Sequence, residues 1–112
     1  MKRLLLIVWC ILYINTISAQ RPQQRENFSI TGKVIDKVSK TPLEYATIVF
    51  KNIKSKKISG GITNTKGTFN IKIARGVYDI SIEFISFKTI HLKKRTINNN
   101  LSLGTIALSE DS

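Results

Sequence analysis

Cysteine, histidine, proline and tryptophan are nearly missing from these 112 residues, with one Cys, one His, two Pro and one Trp. A lone cysteine closes no disulfide within the chain, so no disulfide framework holds the fold. A lone histidine excludes the several His and Glu ligands that a zinc peptidase needs. Acidic residues are scarce as well, 7 against 18 Lys and Arg, for a formal charge of +11. Helical periodicity is absent beyond residue 20, which excludes a helical bundle. The chain is long enough for one small domain; one of roughly 90 residues buries somewhat over 60% of its unfolded surface and folds without a metal.

What is present begins with an apolar run. Lys2 and Arg3 precede Leu4–Ile14, which is unbroken and apolar, and Asn15–Ala19 then turns polar and small. That order predicts a secretory signal peptide over residues 1–19, cut after Ala19. The run is well short of the ~20 residues that span a bilayer as a helix, so no transmembrane span is expected in the mature chain. Cys10 leaves with the signal, and Trp9 directly before it disfavours lipid attachment. Losing Lys2 and Arg3 takes the 18 basic residues to 16 against 7 acids, or +9. Residues 20–27 are polar and predict a flexible lead-in.

From Phe28 onward the pattern alternates with period two. Phe28, Ile30 and Val34 share one face of a first strand, and Pro42 separates it from a second over Tyr45–Lys51. That second strand is apolar on both faces, which places it centrally. Residues 52–59 read as a basic loop, ended by a turn at Gly60-Gly61 and a short strand at Ile62-Thr63. Asn64-Thr65-Lys66-Gly67 has tight-turn chemistry and predicts a hairpin into a strand carrying Phe69, Ile71 and Ile73. Tyr78, Ile80, Ile82 and Phe84 form the next inward face, and a parity break at Ile85-Ser86-Phe87 predicts a bulge or corner. Ile90 and Leu92 resume, residues 96–100 read as a turn, and Leu101 and Leu103 are separated by Gly104 from Ile106 and Leu108 on the opposite parity. Six or seven short strands with no helix predict an all-β, two-sheet sandwich.

The series Ile30-x-Gly32-x-Val34-x-Asp36, Thr41-Pro42-Leu43-x-Tyr45-Ala46-Thr47-Ile48, Gly61-x-Thr63-Asn64-x-x-Gly67-x-Phe69, Gly76-x-Tyr78 and Phe84-Ile85-Ser86-Phe87-Lys88 resembles the carboxypeptidase regulatory-like domain. The resemblance runs from about Ser29 to Leu108. It implies a seven-stranded, transthyretin-like (prealbumin-like) β-sandwich over residues 28–108, with a short tail at 109–112. It also implies a setting at the N-terminus of Bacteroidota TonB-dependent outer-membrane receptors, after a signal peptide. The chain is then expected to be either a free-standing domain or a truncated receptor reading frame.

Candidate chemistry is thin. His91 sits in an expected strand beside Lys93, Lys94 and Arg95, with no acidic neighbour in sequence to complete a nucleophilic triad. Asp79 and Glu83 share a face, but four residues of strand separate them by ~13 Å, too far for a glycosidase pair. Asp36, just after the first strand, is expected to hydrogen-bond a turn. Gly60-Gly61 lacks the GK[ST] ending of a phosphate loop. No catalytic residue, cofactor or metal is expected. The binding surface expected is the basic loop, with Lys51, Lys54, Lys56 and Lys57. Its expected partner is a protein of the outer-membrane or periplasmic system, or an anionic envelope component, rather than nucleic acid. The expected location is the periplasm or the outer membrane.

Overall fold

The computed structural model describes residues 26–111. The expected signal peptide and residues 20–25 of the lead-in lie outside the described residues. Seven strands and no helix are found among the described residues: β1 (Asn27–Asp36), β2 (Thr47–Asn52), β3 (Ile58–Ile62), β4 (Thr68–Ala74), β5 (Gly76–Glu83), β6 (Ile90–Ile97) and β7 (Leu101–Leu108). They form a three-stranded sheet, β4-β1-β7, and a four-stranded sheet, β3-β2-β5-β6. All ladders are antiparallel except β1 with β7, which is parallel.

The alternation read from the sequence is the packing rule. Phe28, Ile30 and Val34 of β1, Phe69, Ile71 and Ile73 of β4, and Leu108 of β7 face Ile48 and Phe50 of β2, Tyr78, Ile80 and Ile82 of β5, and Ile97 of β6 in one core. Each such side chain contributes ~1.5–3 kcal/mol on leaving water, and their common interior makes the two sheets one sandwich. β2 is central, as its two apolar faces predict. The corner expected near Ser86 is present: Ser86 has φ 66° and Phe87 N–H donates to Phe84 C=O at 3.0 Å. Beyond β7, Lys88 N–H donates to Ser109 C=O and Asp111 N–H to Ser86 C=O, so residues 109–111 pack on that corner.

Four local expectations are corrected. Asn64–Gly67 is a tight turn, with Gly67 N–H donating to Asn64 C=O at 2.9 Å, but it makes no β3–β4 hairpin. It carries the chain from one sheet to the other, where Gly67 C=O accepts Val34 N–H at 2.8 Å. Gly67 takes φ +73°, and a Cβ there would lie 2.5 Å from Val34 O, so only glycine fits the crossing. Gly60 and Gly61 are not a turn but lie in β3, opposite Val49 and Ile48. A Cβ on Gly60 would meet Ile48 O at 2.1 Å, so the glycines let this edge strand approach β2. With β3 beginning at Ile58, the basic loop is shorter than 52–59. Finally, residues 96–97 belong to β6, and Ile97 is buried rather than in a turn. A bulge places Lys94 at φ 52° and shifts the parity that Ile90 and Leu92 had set.

Candidate functional site

The β2–β3 loop is built by Asn52. Its Oδ1 accepts Lys54 N–H at 2.9 Å and Ser55 N–H at 3.1 Å, while its backbone C=O accepts Lys56 N–H and its N–H donates to Lys57 C=O, both at 2.9 Å. Ser55 Oγ accepts Lys57 N–H, and Lys56 takes φ 64° to close the turn. Asp36 builds the same loop at the far end of the molecule. Its Oδ1 accepts Val38 N–H at 2.8 Å and Ser39 N–H at 3.3 Å, Lys40 N–H donates to its C=O at 2.9 Å, and Lys40 has φ 64°. The turn role expected of Asp36 is therefore present, and Asn52 repeats it.

The expected loop lysines separate. Lys54 and Lys57 line cavities, whereas Lys51 and Lys56 are exposed outside them. Lys57 meets Lys72 and Arg75, with Asn52, Ser55 and Ser59, around a cleft of about 450 Å³. Lys54 and Arg75 line an adjoining cavity of about 370 Å³. Lys72 and Arg75 escaped sequence reasoning because the β4–β5 turn is remote in sequence from residues 52–57; only the β2–β5 pairing brings Asn52 opposite Tyr78.

The cleft's own cations are held in place. Arg75 Nη2 lies 2.9 Å from Glu26 Oε2, and its guanidinium sits 5.4 Å from the Phe28 ring centroid. Lys72 Nζ donates to Ser29 Oγ. The Tyr78 hydroxyl donates to Ala74 C=O at 2.8 Å, and its ring meets Phe50 edge-on at 6.2 Å.

The ladders sort charge along the sandwich. One end, where β4 turns into β5, gathers Lys51, Lys54, Lys56 and Lys57 with Lys72 and Arg75. The same half of β6 adds Lys93, Lys94 and Arg95, the last opposite Tyr78. Glu26 and Asp79 are the carboxylates there, and Asp79 is engaged: its Oδ1 accepts Lys94 N–H at 2.9 Å. The other end carries Lys33, Lys37, Lys40, Lys66 and Lys88 together with an equal number of carboxylates, Asp36, Glu44, Glu83, Glu110 and Asp111. The charge excess of the described residues thus lies at one end.

His91 is exposed on the sheet, its Nδ1 3.4 Å from Ser81 Oγ. Among the described residues no three His, Cys, Asp or Glu side chains come together. No helix of the described residues is long and apolar enough to cross a membrane, which says nothing of a β-barrel.

Fold and surface together define a small β-sandwich domain with a cationic end. The chain belongs to the CarboxypepD_reg-like domain family, which it matches over residues 30–112. No curated protein matches it. Among solved structures it is similar to a cohesin–X-dockerin complex from Acetivibrio cellulolyticus (TM-score 0.52, 21% identity, 72% of this chain and 56% of that one). It is also similar to a candidate carbohydrate-binding protein from Bacteroides uniformis (TM-score 0.54, 13% identity, 71% of this chain and 40% of that one). A third similarity is to 3-chlorocatechol 1,2-dioxygenase from Rhodococcus opacus (TM-score 0.57, 8% identity, 82% of this chain and 63% of that one). The chain spans less than two thirds of each of these structures, and at such identities the likeness concerns the fold alone.

Proposed function

We propose that this is a non-catalytic, exported accessory domain of the cell envelope, acting by binding and related to the N-terminal domain of TonB-dependent outer-membrane receptors. The observation that carries the binding reading is how the polar side chains are used. Asp36, Asn52, Thr63, Asn64 and Asp79 each bond backbone groups and so build the fold. The loop lysines are left exposed to solvent. Triad-type nucleophilic catalysis needs a base held close beside a nucleophile, and Ser81 Oγ and His91 Nδ1 are 3.4 Å apart on an exposed sheet face.

Export is supported by the charged start, the apolar run and the small residues ending at Ala19. Intact-mass analysis of the protein recovered from an envelope fraction tests it. The expected product begins at Gln20; a chain still carrying Met1 contradicts export. A second reading, a free-standing secreted binding module, is favoured by the exposure of the basic loop. A plug and barrel encoded directly downstream of Ser112 in a shifted frame would favour the receptor reading over it.

A further inference from the structure

We infer that the cationic end of the sandwich docks on an anionic phospholipid surface. The inference deepens the binding reading of the basic loop and does not depend on export, which the mass measurement tests separately.

Three observations carry it. The first is placement: the excess positive charge lies around the β4–β5 end, while the opposite end holds as many carboxylates as lysines. A molecule so polarised turns one end toward a negative surface, because the potential near that end adds over all its cations. The second is the form of the cationic surface. Arg75 Nη2 is bonded to Glu26 and Lys72 Nζ to Ser29, so these two cations are tied to the frame at one atom each rather than converging on a single anion. The exposed lysines stand around it as separate point charges, and these suit many headgroups rather than one ligand. The third is Ile58, which is 69% exposed and follows Lys57 directly, opposite Lys51. An apolar side chain projecting among lysines suits the headgroup boundary, where cations meet phosphate and the alkyl group leaves water.

The loop geometry removes a cost. Asn52 fixes the backbone of residues 54 and 55 through its Oδ1, so little main-chain freedom is lost on docking. Each lysine brought to an anionic surface is worth about fivefold in partition. Salt weakens the attraction because these charges are exposed.

The test is co-sedimentation of the full purified chain with vesicles of phosphatidylcholine containing about a third phosphatidylglycerol, against phosphatidylcholine alone. The ratio of the two partition coefficients isolates the charge effect from any insertion of the apolar run at residues 4–14. The variant Lys54→Glu/Lys57→Glu is compared with Lys37→Glu/Lys66→Glu, which makes the same change in net charge at the other end. Circular dichroism checks that both fold. The inference expects the anionic preference to fall more than tenfold in the first variant, less than threefold in the second, and steadily with added salt in the wild type. Ile58→Ser should lower partition onto the anionic vesicles about threefold without changing the salt slope. Equal losses in the two double variants would overturn the inference. So would a wild type that prefers neither vesicle, or that binds an oligonucleotide while leaving the vesicles free.

Discussion

The loops Asp36–Thr41 and Asn52–Lys57 have one backbone and two surroundings. Each is closed by an Asx side chain on the second and third residues after it, by a serine hydroxyl, and by a lysine at φ 64°. The first sits at the end where lysines and carboxylates balance and the second among further cations. Local side-chain bonds therefore set loop shape, while charge is assigned separately by which strands the sheet brings alongside. Shape and charge should respond to different substitutions.

The largest expected effect lies at the balanced end, away from either loop. Thr63 is buried; its hydroxyl donates to Leu43 C=O and accepts Ala46 N–H at 2.9 Å. Thr63→Val leaves both backbone groups unpaired and should cost ~3 kcal/mol in denaturant unfolding. At the cationic end, Tyr78→Phe frees only Ala74 C=O and should cost ~1 kcal/mol. Equal costs would mean that Thr63 is not the fastening the hydrogen bonds describe.

The loops come next. Asp36→Ala and Asn52→Ala should each lower stability by ~1 kcal/mol and agree within ~0.5 kcal/mol, since each loses the same two backbone bonds. A much smaller loss for Asn52→Ala would break the equivalence. Lys40→Gly and Lys56→Gly should each raise stability by ~0.5–1 kcal/mol by removing the side-chain clash of the left-handed conformation, less the entropy glycine adds to the unfolded chain. Thermal unfolding of the pair reads this, and a loss at either position contradicts the assigned geometry. Smallest is the response to salt: raising ionic strength from about 0.02 to 0.2 M should stabilise the fold by a few tenths of a kcal/mol by screening the crowded cations, and Lys54→Glu/Lys57→Glu should remove most of that gain.

Much of the fold was legible because its core obeys period two. Phe28, Ile30, Val34, Phe69, Ile71, Ile73, Tyr78, Ile80 and Ile82 all alternate in sequence and are all buried. Gly104 marked the parity change in β7, where φ 71° and a register shift against β1 now stand. What escaped was non-local or masked by irregularity. Turn chemistry at Asn64–Gly67 foretold a tight turn but carries no information on which sheet receives the next strand. Ile97 looked like part of a polar turn because the bulge at Lys94 broke the count. The cleft was half legible, since Lys54 and Lys57 stood out as a run whereas Lys72 and Arg75 join them only through strand pairing.

The separation of shape from charge is tested most directly by titrating inorganic phosphate into isotopically labelled protein and following backbone amide shifts by NMR. The account predicts shifts concentrated at residues 52–58, 72–78 and 93–95, with residues 36–41 nearly unmoved despite their matching backbone. Comparable shifts in both loops would contradict it, because geometry alone would then be attracting the anion.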